Sequence, residues 1–159
     1  MMRTLGAILL GAGCALFGLA QRNTLKERVS DARAVLDALE LLRGRIVTLS
    51  APLPEAFDAL AESIPRFQKL SVRTAEGEPF SKLLVPALAE LMLWEPCGTL
   101  LAALAAALAG GEEPEAAFAR TKERANTLLA SAEKEYAEKG RNALSLGLCA
   151  GAMLAIALC

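Results

Sequence analysis

Two stretches decide how this 159-residue chain is read: TLGAILLGAGCALFGLA, from Thr4 to Ala20, and ALSLGLCAGAMLAIALC, from Ala143 to Cys159, each 17 residues without a charge. As helix, each is roughly 26 Å long at about 1.5 Å per residue, against a bilayer hydrocarbon core of about 30 Å. Working outward from them, 34 of the 35 charged side chains fall between Gln21 and Asn142, the exception being Arg3. The composition, 54% hydrophobic and 22% charged with a mean hydropathy of +0.38, is therefore an average over neutral ends and a charged middle. This division predicts short transmembrane helices at 4–20 and 143–159 around one domain at 21–142. Arg3, Arg22, Lys139 and Arg141 stand close enough to extend their side chains to headgroups.

A cleaved signal peptide is the competing reading of the first stretch, with Arg3 as its basic region and Gly18-Leu19-Ala20 as its cleavage site. A second neutral stretch at the other end favours two anchors. Cys14 makes a poor lipidation site, because Gly11, Ala12 and Gly13 precede it and the apolar run continues past it. Orientation follows from the basic flanks. Arg22, Lys26, Arg28 and Arg33 follow the first stretch, and Lys134, Lys139 and Arg141 precede the second, so the middle is expected to be cytoplasmic.

Counting excludes much chemistry. The chain has no His, which removes Ser/His/Asp and Cys/His catalysis, His-containing zinc sites and the Glu-x-x-His ligands of di-iron bundles. A net charge of −1 with a pI near 5.6 lacks the basic footprint of a nucleic-acid binder. Cys14, Cys97, Cys149 and Cys159 form no CxxC and no ligand cluster, which suits a reducing compartment. No Gly-rich phosphate loop is present. No cofactor, no metal and no small-molecule substrate is expected.

The middle reads as helical throughout. Leu25, Val29, Ala32, Leu36, Leu39, Leu42, Ile46 and Leu49 recur at steps of three and four, one stripe of a helix that nothing interrupts from Leu5 to Ser50. Ala51-Pro52-Leu53-Pro54 stops it, and Pro54 with Glu55 opens a second helix carrying Phe57, Leu60, Ala61 and Ile64 on one face, up to Pro65. Arg66 to Pro79 reads as polar loop. Leu83 to Ala119 holds 37 residues without Lys or Arg; Glu90 and Glu95 would be costly in hydrocarbon and Pro86 and Pro96 cut the run, so two core helices are expected rather than a third span. Gly110-Gly111 marks a stop. A last helix begins at Glu112 to Glu115, with Phe118, Thr121, Ala125, Leu128, Ala132 and Tyr136 on its packing face and Glu135 to Lys139 as a favourable pair four residues apart. The fold class is all-α: an antiparallel cytoplasmic helical bundle flanked by terminal transmembrane helices.

Glu90 and Glu95 are the sole carboxylates between Leu83 and Gly111, but a spacing of five puts them on diverging faces, which argues for surface positions over an acid–base site. Small residues recur at four-residue steps as Ala7, Gly11 and Ala15, and as Ala143, Gly147, Gly151 and Ala155. Such stripes let membrane helices approach closely, although general Ala and Gly abundance would also produce them.

The N-terminal third, with LGAGC in a Gly-rich anchor, a basic junction, ALELL on an amphipathic helix and the P-L-P-E-A-F turn of Pro52 to Phe57, resembles the stage III sporulation protein AB family of endospore-forming bacteria. LAGGEEPEAAF and RNALSLGLCAGAMLAIAL extend the resemblance at the other end. It implies a non-enzymatic membrane platform in the secretion-like complex connecting mother cell and forespore, in the mother-cell membrane facing the forespore. Its cytoplasmic domain would be similar to that of type II secretion and type IV pilus platform proteins, docking a secretion-type ATPase, with the anchors packing against other membrane subunits. Pro52, Leu53, Pro54, Glu55, Ala56 and Phe57 are then the candidate interaction residues. The alternatives are a membrane-tethered helical scaffold unrelated to secretion and a small membrane enzyme using Glu90 or Glu95.

Overall fold

The structure, a computed structural model, describes the backbone of residues 2–70 and 80–158, with side-chain surroundings given for part of the residues at the two ends and near 81. Among the described residues there are five α-helices: α1 (Met2–Arg43), α2 (Leu53–Ser63), α3 (Phe80–Glu90), α4 (Glu95–Ala109) and α5 (Pro114–Leu158). No strand occurs among the described residues. The expected all-α class is met. The neutral stretches are helix within α1 and α5, but no helix among the described residues is long and apolar enough to cross a membrane. For residues 4–20 and 143–158 the structure thus shows helix, and it leaves the expected spans unsupported.

The chain divides into two compact units, one of Met1–Val29 with Ser131–Cys159 and one of Ser30–Ala130. In the first, α1 and α5 lie side by side. Arg28 Nη1 donates to Glu135 Oε2 at 3.2 Å, and Arg22 Nη2 donates to the Tyr136 hydroxyl at 3.4 Å. Lys139, four residues on, donates to Glu135 Oε1 at 3.1 Å. That bond and the Lys139 charge, with Arg28 adding, hold the Glu135 carboxyl below its ordinary range. Gly140 is buried, and a Cβ there would meet the Tyr136 ring at 3.6 Å.

The second unit contains the main hydrophobic core. From α1 it takes Ala32, Val35, Ala38, Leu39 and Leu42, from α2 Ala56, Phe57 and Leu60, and from α5 Ala117, Phe118 and Ala125. The pairs Lys122 to Glu40 at 3.0 Å and Arg43 to Glu115 at 3.3 Å run in opposite orders along α1 and α5, so the two helices are antiparallel here. α3 and α4 pack against each other and, with Leu91 of the turn between them, supply Leu84, Leu88, Cys97, Leu100, Leu101, Leu104 and Ala105 to the core. The stretch Leu83–Ala119 therefore contributes core helices, as its prolines and glutamates suggested.

Details differ from the sequence reading. The helix begun by α1 ends in a π-helical turn, Gly44–Thr48, closed by Leu49 N–H donating to the Gly44 carbonyl at 3.3 Å. A π turn takes more residues than an α turn, so it moves the phase of the stripe and leaves Leu49 65% exposed. Pro86 does not end its helix but lies inside α3, with its side chain exposed. The break falls at Leu91–Trp94, where Met92 has φ 49°. The polar stretch after Pro65 also contributes to the core: a 3₁₀ turn, Pro65–Phe67, buries Phe67, and Leu70 follows it inside. At the C-terminal end of α4, Gly111 has φ +80°. Its N–H reaches the Leu108 carbonyl at 3.2 Å and Glu112 N–H reaches Ala107 at 3.1 Å, a Schellman motif that satisfies the last carbonyls.

Candidate functional site

The segment Pro52–Phe57 follows directly from the π turn. Ser50, at φ 53°, turns the chain, and Pro52, its φ of −64° set by its own ring and its ψ at 149°, caps α2 in the extended region. Pro52 and Glu55 are exposed and Leu53 and Pro54 half-buried, whereas Ala56 and Phe57 are buried. Phe57 packs its ring on Phe80 with centroids 5.5 Å apart at 53°. The candidate interaction residues thus separate physically: four reach the surface, and two hold the turn to the core. Next to the turn, the π segment forms one wall of a groove of about 550 Å³ with Leu39, Val47, Phe118 and Ala119. The Arg43–Glu115 and Lys122–Glu40 pairs stand at this groove.

A second polar cluster, which the sequence reading missed, lies inside the same unit. Asp31 is 3% exposed. It shares a face with Val35, Ala38 and Leu42, at steps of four, three and four, the spacing of a core stripe. Its Oδ1 accepts from Arg66 Nε at 2.6 Å and its Oδ2 from the Trp94 backbone N–H at 2.9 Å. One carboxylate therefore ties α1 to the 3₁₀ turn and to the N-terminal end of α4, where the capping residue Trp94 has no side-chain cap of its own. A buried ion without such partners would be prohibitively costly.

Cys97 is buried nearby. Burial, and then the negative charge of Asp31, push its thiol from the ordinary 9.0 up to about 11. A thiol held protonated is a poor nucleophile. In a variant with Cys14, Cys149 and Cys159 replaced by Ser, alkylation of Cys97 by iodoacetamide at pH 8 is expected to wait on unfolding. Because the pKa is higher folded than unfolded, the stabilisation is whole below pH 9 and is lost as pH rises through about 11. Denaturation midpoints measured across that window should fall, and a Cys97→Ala variant should lack the fall.

Glu90 and Glu95 are both exposed, Glu90 ending α3 and Glu95 beginning α4. Among the described residues no group of three or more Cys, Asp or Glu comes together in a way that could hold a metal. Ala7, Gly11, Ala15, Gly147, Gly151 and Ala155 lie on helical backbone of α1 and α5, and their side chains fall outside the described residues.

What these features define is an all-helical protein with long terminal helices, whose polar clusters are either structural ties or surface charges. The family described as stage III sporulation protein AB (spore_III_AB) matches it over residues 3–159. The chain belongs to that family, and its role lies in sporulation. No curated protein and no solved structure matches it significantly.

Proposed function

We propose that the chain is a platform subunit of a secretion-like complex of sporulation, fixed in the mother-cell membrane by its two ends, with residues 21–142 in the cytoplasm docking a secretion-type ATPase. The observation that carries the anchoring is the surface of the first unit: Leu16, Phe17, Leu19 and Met153 are 65%, 67%, 44% and 73% exposed, an arrangement that suits lipid and is unfavourable in water. The basic residues flanking the neutral stretches fit the same placement. Hydrophobic stretches this short are accommodated by local thinning of the bilayer and by extended Arg and Lys side chains. The platform role and the ATPase rest on family membership.

Two measurements test the reading. The chain should stay with membranes through an alkaline carbonate wash, with tags on both termini shielded from protease added on the cytoplasmic side. Purified in mild detergent, it should retain the ATPase of the same complex, and an exchange of Pro52 and Glu55 for Ala should weaken that retention. Release by carbonate would overturn the anchoring. Purification without the ATPase from cells that make both would overturn the docking.

A further inference from the structure

α3 carries Lys82 near its start and α4 has no Lys or Arg, and the outer side of that pair is a groove of about 270 Å³. Val85, Ala89, Leu93, Gly98, Thr99 and Ala102 line it. Val85 is 54% exposed and Met92, in the turn beside Leu93, is 87% exposed. Further along α4 the exposed positions Ala103 and Ala106 add no charge. Small residues along α4 and α3 leave room for another backbone to approach. Among the described residues the charge at the groove is acidic: Glu95 lines it, Glu90 precedes the turn, both are exposed, and neither takes part in an ion pair among the described residues. Arg66, drawn to the same turn through Asp31, already has its charge met by that carboxylate at 2.6 Å.

We propose that this groove receives a basic amphipathic helix of a partner protein, its aliphatic stripe lying between α3 and α4 and its Lys or Arg side chains against Glu90 and Glu95. An apolar groove binds such a helix through residues at i, i+3, i+4 and i+7, and the exposed Glu90 and Glu95 carboxylates favour basic side chains on what enters. Two exposed carboxylates disfavour bilayer hydrocarbon as the occupant. This surface is separate from Pro52–Glu55 and does not depend on the anchoring or on the ATPase.

Gly98 supplies a clean variant. A Cβ added there meets nothing within 4 Å, and leucine is a better helix former than glycine, so Gly98→Leu fills the groove without disturbing the helix. Trp94, the single tryptophan of the chain, stands in the turn between the groove residues Leu93 and Glu95 and reports occupancy by its fluorescence. The probe is a synthetic Trp-free helix of Leu and Lys in amphipathic order, titrated into the full chain in a neutral detergent, with a Leu and Glu helix of the same order as control. Saturable change of Trp94 emission is expected for the basic helix, with affinity lowered about tenfold or more by Gly98→Leu and by Glu90→Gln with Glu95→Gln. Circular dichroism melts should show both variants folded. Equal affinity of wild type and Gly98→Leu would overturn the proposal, as would equal binding of the acidic helix. If Gly98→Leu without any peptide reduces the oligomeric size of the solubilised chain, a second copy occupies the groove and the proposal fails.

Discussion

Phe57→Ala is expected to lower the stability of the second unit by about 3–5 kcal/mol, the range for removing a buried aromatic ring and leaving its cavity. Phe57 is 1% exposed, and its ring faces that of Phe80 at 5.5 Å, so the loss includes an aromatic pair as well as buried area. Glu55, two residues earlier on the same helix, is exposed, and Glu55→Ala should change stability by about 0.5 kcal/mol or less. Chemical denaturation of the two variants followed by circular dichroism makes the comparison. The contrast divides the segment Pro52–Phe57 into a part that holds the fold and a part free to touch a partner. Equal stability of the two variants would contradict that division.

Asp31→Ala is the second large effect, about 2–4 kcal/mol. It leaves the Trp94 N–H without its acceptor, a loss of about 1–3 kcal/mol for a buried donor, and takes away a charge-assisted bond to Arg66. The Arg66 side chain is 40% exposed, so water recovers part of the second contribution. Asp31→Asn keeps an acceptor for Trp94 and should fall between wild type and Asp31→Ala. A double-mutant cycle with Arg66→Ala should give a coupling of about 1 kcal/mol. A loss under about 0.5 kcal/mol for Asp31→Ala would show that the carboxylate is not the tie described.

The helices were legible where their signals are local. The stripe of α1, the prolines that open α2 and the pair Gly110-Gly111 all act within a few residues, and each element lies where those signals put it. Asp31 was not legible for the opposite reason. An aspartate on an amphipathic helix reads as a solvated charge until Arg66 and Trp94, 35 and 63 residues away, are brought to it by the fold. Phe67 and Leu70 were hidden by polar neighbours, since too few residues separate Pro65 from Leu70 to show a period. Pro86 looked like a break because its effect on a helix depends on whether the carbonyl one turn back can be satisfied otherwise, which no spacing reveals. Of the candidate interaction residues, the turn itself was legible from its prolines and Phe57 from its place on the apolar face of α2, while the pairing of Phe57 with Phe80 depended on α3.

The π turn at Gly44–Thr48 has a further meaning for how this chain tolerates change in length. A π turn is an α-helix with one residue too many, absorbed without ending the helix. Removing a single residue between Arg43 and Leu49 would let the segment close as α-helix while Leu49 kept its present direction, turned away from the stripe of Leu39 and Leu42. The Ala51-Pro52 corner would still follow. Length variation is therefore cheapest at this place in α1, far from the tie at Asp31 and directly before the turn that shows Pro52 and Glu55 to the outside.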